Sequence, residues 1–183
     1  MIEGKEMLEL IRKRQSDRGY IDKTVEKEKL DRILEAGRIA PSACNSQPWK
    51  FILVSDFDLV KQIAEAASAK ALGMNTFVSQ VPVFIIVVRE KANISSRIGA
   101  AVKAKDYSLI DIGIASENMC LQATAEGLGT CIMGWFNEKM VQKILHIPSS
   151  KRVELIISLG YSSKELRDKL RKPQEEVISY NKY

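Results

Sequence analysis

The sequence predicts an α+β fold in which helices flank a small central sheet. Residues 83–88, VFIIVV, form an unbroken β-branched run, which is typical of a strand covered on both faces. Helical apolar patterns and short extended runs follow one another along the rest of the chain. The 183 residues suit one domain that buries roughly 70% of its unfolded surface. We therefore expect a single domain over residues 1–183, with residues 164–183 as a C-terminal arm.

The first half of the chain predicts two helices, a strand and a third helix. In EMLELIRKR the apolar residues fall on one helical face, and a polar loop follows over residues 15–24. The loop ends at Thr24, which we expect to cap the second helix. WKFILV, residues 49–54, reads as a strand, and residues 58–72 return to a helical pattern. The second helix carries its apolar stripe on Leu30, Ile33, Leu34 and Gly37.

The second half is dominated by one long apolar helix. Residues 107–126 carry apolar side chains well beyond a single stripe, so this helix should be buried on more than one side, in the core or in a subunit contact. A short strand is predicted near 130–134, a helix near 137–145 and a strand over 153–161. His146 follows the last helix and is interpreted as structural.

Composition and charge argue against several classes of function. The net charge is +5 and the pI about 9.1, but cations alternate with acids throughout, so no nucleic-acid partner is expected. Apolar runs stay short of the ~18 residues of a membrane helix, and the N-terminus does not read as a secretory signal. We therefore predict a cytoplasmic protein that does not associate with membranes.

Cysteine and histidine usage gives no sign of a metal site. The three cysteines, Cys44, Cys120 and Cys131, lack C-x-x-C spacing and are odd in number, so neither a zinc site nor a disulfide framework follows. A single histidine excludes a multi-histidine site. Each cysteine is expected to be a small buried hydrophobe.

The segment RKRQSDRGY is the first candidate for chemistry. Alternate residues of an extended segment point the same way, so Arg14, Ser16 and Arg18 could converge on one anion, with guanidinium groups that suit phosphate. Asp17 would face away. The alternative reading is a solvated surface loop.

The segment APSACNSQPW is the second candidate. Pro41 and Pro48 restrict the backbone, while Ser42, Asn45 and Gln47 supply hydrogen-bonding groups. A rigid, amide-rich loop suits a planar ligand with polar edges. The alternative is a helix end followed by a turn.

Two further segments are less specific. GLGTCIMGWF carries Gly127, Gly129 and Gly134, which permit close approach of the backbone to a ligand, although a helix end and a tight strand end explain them almost as well. KELRDKLRKP places Lys169 and Arg171 two residues apart, and both could be solvated charges of a tail.

Taken in order, these four segments resemble the FMN-dependent nitroreductase family. R-x-S-x-R, P-S-x-x-N-x-Q-P-W, the glycine-rich segment and the late K-x-R-K-P cover the chain from about residue 8 to about residue 176. The second of these patterns is the most specific. The resemblance implies an α+β homodimer that holds FMN at the subunit interface.

The resemblance also implies a phosphate clamp built from both ends of the chain. The N-terminal loop would meet the FMN phosphate and ribityl chain, and the C-terminal arm would complete the clamp. The departure from the family pattern is Gln15, which stands where a second arginine is usual and removes one positive charge. The implied clamp residues are Arg14, Gln15, Ser16, Arg18, Lys169 and Arg171.

The remaining implied cofactor contacts come from the proline-bounded loop and the glycine-rich segment. The loop would be offered by the partner subunit, while Met133 and Gly134 would lie against the isoalloxazine ring. The loop residues concerned are Pro41, Ser42, Ala43, Asn45 and Gln47. Residues 89–107 are short for the lid that shapes acceptor choice in larger relatives. Tyr107 and Asn75 could approach the site, but packing roles are expected for both.

The predicted function is reduction of nitroaromatics, quinones or similar electron-poor acceptors by NADH or NADPH through bound FMN. In this scheme donor and acceptor use the same place in turn, and the cofactor carries the redox chemistry, so no side chain is assigned as catalytic. Three alternatives stay open: a flavin carrier or sensor without nicotinamide turnover, a reductive dehalogenase-like flavoenzyme, and a small basic nucleic-acid-binding domain.

Overall fold

The computed structural model describes residues 3–69 and 73–183, which form a four-stranded antiparallel sheet in the order β1-β2-β4-β3. Ile52, Ile86, Ile156 and Met133 lie side by side in one row across all four strands. β2 is buried at six of its seven residues, as its apolar run predicted. The strands are β1 (Trp49–Val54), β2 (Val83–Arg89), β3 (Gly129–Met133) and β4 (Arg152–Gly160).

Helices cover both faces of this sheet, which confirms the predicted fold class. α2 and α5 pack on the face that carries Ile85 and Ile157, and α3 and α6 pack on the opposite face, which carries Phe84 and Ile156. The helices are α1 (Gly4–Lys13), α2 (Lys27–Arg38), α3 (Phe57–Ala67), α4 (Ile94–Lys103), α5 (Tyr107–Ala125), α6 (Glu138–Ile144) and α7 (Gln174–Val177). Short 3-10 turns occupy Ala43–Asn45 and Thr76–Gln80.

Two helix boundaries were predicted wrongly. Thr24 is not an N-cap, because α2 begins at Lys27 after an extended Glu26, and the intervening Val25 is buried in the core. The predicted helix over 58–72 ends at Ala67. There the side-chain amide of Asn75 donates a 3.0 Å hydrogen bond to the Ala67 carbonyl, which ends the helical ladder. Residues 70–72 lie outside the described residues.

The cysteine prediction holds for two of the three residues. Cys120 and Cys131 are buried, and burial raises the pKa of the Cys120 thiol to about 11. Cys44 is exposed, because it lies in the 3-10 turn rather than in the core, and the prediction was wrong there. His146 follows α6 with a left-handed φ of 52°, a conformation common after a helix end.

In the part of the chain that the structure describes, every helix is too short or too polar to cross a bilayer.

Candidate functional site

A basic pocket of about 320 Å³ lies where the loop after α1 meets the C-terminal segment. It brings together residues that are about 150 positions apart in the sequence. Four side chains of the N-terminal loop and five residues of the C-terminal segment form its walls. These residues are Arg14, Gln15, Ser16, Arg18, Arg167, Asp168, Lys169, Leu170 and Arg171. We call this cavity the basic pocket.

The N-terminal wall of the basic pocket is held against strand β3. Ser16 pairs with Thr130 in a parallel bridge, and the Asp17 amide donates to the Thr130 carbonyl at 2.8 Å. Asp17 is buried and points away from the pocket, as the alternation of the segment predicted. A β-carbon at Gly129 would lie only 2.6 Å from a carboxylate oxygen of Asp17, so this close approach requires glycine.

The C-terminal wall is held by hydrogen bonds to the N-terminal loop. The backbone N–H of Arg167 donates to the side-chain oxygen of Gln15 at 3.1 Å, and the side-chain nitrogen of Gln15 donates to the Glu165 carbonyl at 3.1 Å. An Arg167 guanidinium nitrogen donates to the Ser16 carbonyl at 2.8 Å, and the Lys169 ammonium donates to the Arg12 carbonyl.

Cations outnumber acids in the basic pocket by five to one. Burial lowers the pKa of Lys169, and the neighbouring Arg14, Arg171 and Arg167 lower it further. The Nε atom of Arg14 lies 3.2 Å from a Glu117 carboxylate oxygen, but the geometry of this contact does not make a hydrogen bond. Like charges held together in this way favour an anionic ligand, and planar guanidinium groups suit the oxygens of a phosphate monoester. The residues therefore fit the phosphate of a mononucleotide.

The proline-bounded loop is rigid and strained. Cys44, Asn45 and Gln47 adopt left-handed φ angles of 53°, 49° and 46°, a conformation unfavourable for residues other than glycine. The Ala43 amide donates to the buried Asp111 carboxylate at 3.0 Å, which ties the loop to α5. The side-chain nitrogen of Gln47 donates to the Asn45 side-chain oxygen at 3.0 Å. Strain of this kind collects at ligand sites.

The structure does not bring this loop into the basic pocket of its own chain. Among the described residues that line the pocket, none belongs to residues 41–47. Arg14 contacts α5 at Glu117, whereas Ala43 contacts the same helix at Asp111. Six helical positions rotate the direction of a side chain by about 240°, so the two contacts face different sides of α5.

Met133 is the last residue of strand β3 and Gly134 follows it, while the other end of the strand adjoins the N-terminal loop. Met133 is buried and Gly134 is exposed, followed by Trp135 with 57% of its surface exposed. Asn75 donates to the Trp135 carbonyl at 3.0 Å as well as to Ala67, so its amide group has a packing role.

The sequence interpretation missed three lining residues, Arg167, Asp168 and Leu170, and of these Arg167 is the cation. It stands two residues before Lys169, at the same alternate spacing that links Lys169 to Arg171. In an extended segment this spacing places all three cations on one side. Applied to the whole of RDKLR, the rule would have included Arg167.

A second cavity, of about 610 Å³, lies at the end of β2 beside Tyr107. Its central cation, Arg89, is neutralised by Asp106 and Glu154, each at 2.8 Å. Because its charges are largely paired with one another, this cavity is a weaker candidate for an anionic ligand than the basic pocket.

Comparison with known proteins assigns the chain to a family. Residues 11–161 match the Nitroreductase family, and the chain belongs to it. A nitroreductase family protein of Clostridium difficile 630 superimposes with a TM-score of 0.82 at 31% identity, covering 96% of this chain and 98% of that chain. An FMN-dependent nitroreductase of Clostridium difficile R20291 superimposes with a TM-score of 0.77 at 28% identity, covering 96% of this chain and 99% of that chain.

A sequence relative carries a more specific name. An oxygen-insensitive NADPH nitroreductase of Helicobacter acinonychis is 29% identical over 188 residues, and the match covers 86% of this chain and 87% of that protein. The resemblance inferred from the four segments is confirmed as to family.

Proposed function

We propose that the chain is an FMN-dependent oxidoreductase that uses NADH or NADPH to reduce nitroaromatics, quinones or similar electron-poor acceptors. The basic pocket carries this proposal, because it gathers cations from both ends of a chain of this family around one cavity. The names of the relatives in Clostridium difficile and Helicobacter acinonychis support the cofactor and the donor.

In this proposal the chain's own residues bind and orient the cofactor. Arg14, Arg18 and Arg171 hold the phosphate by charge-assisted hydrogen bonds, with Ser16 donating from its hydroxyl group. The segment of Met133 and Gly134 would border the ring. Bound FMN supplies the two-electron chemistry between nicotinamide and acceptor.

The proposal includes a homodimer in which the proline-bounded loop completes the site of the partner. α1, which the structure describes throughout, has no buried residue, yet it carries an apolar face. It packs against α5, whose outer face is apolar and partly exposed as well. A second copy of the chain would cover this combined surface. Its residues are Met7, Leu8, Ile11, Leu109, Ile110 and Ile114.

The experiment that tests the function is an anaerobic titration of the purified, FMN-loaded protein with NADH and with NADPH. We expect the flavin absorbance near 450 nm to bleach and to return when a nitroaromatic or a quinone is added. A flavin that stays oxidised under both donors would favour the carrier or sensor alternative. Reoxidation by a halogenated aromatic alone would favour the dehalogenase-like alternative.

The single domain over residues 1–183 and the cytoplasmic location stay predictions.

A further inference from the structure

We propose that Gln15 is a positioning residue that ties the C-terminal arm to the N-terminal loop, and that it thereby delivers Arg167 to the basic pocket as an additional phosphate-binding cation. The inference rests on the proposed FMN site and assigns two of its residues. Arg167 would supply the positive charge that position 15 lacks.

Gln15 is held in place by both ends of its amide group. Its nitrogen donates to the buried Asp17 carboxylate at 2.9 Å and to the Glu165 carbonyl, while its oxygen accepts from the Arg167 amide. Ser162 donates to the same Asp17 oxygen at 2.7 Å. The start of the arm is therefore attached through one connected set of hydrogen bonds that starts at Asp17, in addition to the bonds that Arg167 and Lys169 donate to backbone carbonyls of the N-terminal segment.

An arginine at position 15 could not make all three of these contacts. Arginine has five donors and no acceptor, so it could not accept from the Arg167 amide. It would also add a cation beside the five that already line the pocket. Glutamine supplies the acceptor and the donor together, and it carries no charge.

Arg167 retains donors for a ligand after it binds the protein. One of its guanidinium nitrogens donates to the Ser16 carbonyl, which uses one of five N–H groups. The side chain lines the basic pocket, so the remaining groups are available at its wall. The contact with Ser16 also fixes the direction of the guanidinium plane.

The arm needs such an attachment because apolar packing contributes little to holding it. Leu166 and Leu170 are 59% and 92% exposed. Arg167, Lys169 and Arg171 of the arm also face Arg14 and Arg18 of the loop, and like charges oppose docking. The hydrogen bonds of Gln15 offset part of this repulsion, and a bound phosphate would offset the rest.

The test compares the Kd of FMN with that of riboflavin, which lacks the phosphate, for Arg167→Gln, Gln15→Leu and the double variant. We expect each single variant to weaken FMN binding by roughly 10- to 100-fold and to leave riboflavin binding unchanged. Arg167→Lys should recover part of the loss. The matched control Arg38→Gln removes an exposed arginine that pairs with Glu35 on α2, and it should bind FMN as the wild type does.

The double variant separates positioning from direct binding. If Gln15 acts mainly through Arg167, Gln15→Leu costs less affinity in the Arg167→Gln background than in the wild-type background, and the loss that remains comes from Lys169 and Arg171 on the same arm. Chymotrypsin should also cut the arm faster in Gln15→Leu than in the wild type, since Leu166 and Leu170 lie in the released segment.

Unchanged FMN affinity in Arg167→Gln, or equal losses from Gln15→Leu in both backgrounds, would overturn the inference while leaving the proposed function intact. A wild-type protein that binds no FMN would overturn both.

Discussion

Asp17 lies behind the basic pocket and holds its N-terminal wall in place. Its carboxylate is buried and accepts from Gln15 and Ser162, and its backbone pairs with Thr130 of strand β3. A buried carboxylate is tolerated only when it is well hydrogen-bonded. These contacts join the N-terminal loop, the sheet and the arm at one point.

The substitution Gly129→Ala tests this role of Asp17. The new methyl group would lie within 3 Å of three atoms of the Asp17 side chain, so the carboxylate must shift. We expect the free energy of unfolding to fall by about 1–3 kcal/mol and FMN binding to weaken. Urea unfolding and a fluorescence titration with FMN measure the two effects.

The control for this substitution is Gly4→Ala, since an added β-carbon there has nothing within 4 Å. It should leave both quantities close to wild type or raise stability slightly. A Gly129→Ala protein as stable as Gly4→Ala, with unchanged FMN affinity, would show that the Asp17 contacts do not shape the pocket.

At the residue scale, the sequence predicted the types of residue at the pocket better than their partners. Arg14, Ser16 and Arg18 were found from alternation and charge, and Lys169 and Arg171 from the family resemblance, and the structure places all five in one cavity. The contacts of Gln15 could not be predicted, because they depend on an arm 150 residues away. The left-handed backbone conformation of Cys44 could not be predicted either, since its sequence neighbours do not require it.

The pairing of α2 with α5 is the main contact between helices, and one ion pair spans it. Arg32 of α2 binds the Glu126 carboxylate, just after α5, through two nitrogens at 2.6 and 2.8 Å. Together with Gln122, this contact lowers the pKa of Glu126 to about 2. The Glu126 side chain is only 13% exposed, whereas Arg32 is about half exposed.

Glu126→Gln should therefore lower stability in a pH-dependent way. The folded pKa lies below the ordinary value of 4.5, so the stabilisation is complete above pH 4.5 and is lost as the pH falls towards 2. We expect a loss of about 1 kcal/mol at pH 7, because the half-exposed partner screens the pair, and little difference near pH 2. Urea unfolding at both pH values measures the effect.

Glu35→Gln is the matched control at the element scale. It removes a pair within α2 between two exposed side chains, and the stability should change less. A loss in Glu126→Gln that is the same at pH 2 and pH 7 would show that the ion pair with Arg32 is not its cause.

Elements with a strong pattern were predicted well, and their ends were not. The sequence pattern correctly predicted the buried strand β2 and the long apolar helix α5. The end of α3 is set instead by Asn75, which reaches back from a later turn to the Ala67 carbonyl. No helix was predicted for residues 94–103, where α4 carries Ile94, Ile98 and Val102 on its exposed surface.

At the scale of the whole molecule, the two parts of the proposed site lie on different sides of α5. The basic pocket contacts α5 through Arg14, and the proline-bounded loop contacts it through Ala43. In the proposed homodimer the pocket of one protomer meets the loop of its partner. Sequence could associate the two segments only through the family resemblance, because in the proposed homodimer they meet through a second chain.

A complementation experiment tests the shared site most directly. One protomer carries Arg14→Ala and Arg171→Ala in the pocket, and the other carries Asn45→Ala and Gln47→Ala in the loop. Each homodimer should bind FMN poorly and reduce acceptors slowly. In a heterodimer purified by two tags, one site combines an intact pocket with an intact loop, and the other site combines both damaged parts.

The measurement is the amount of FMN retained per heterodimer, together with its NAD(P)H-dependent reduction. The shared-site proposal predicts one functional FMN site in each heterodimer, although neither parent homodimer has one. Heterodimers that retain no more FMN than their parents would contradict it, because a site built within a single chain cannot be restored by mixing.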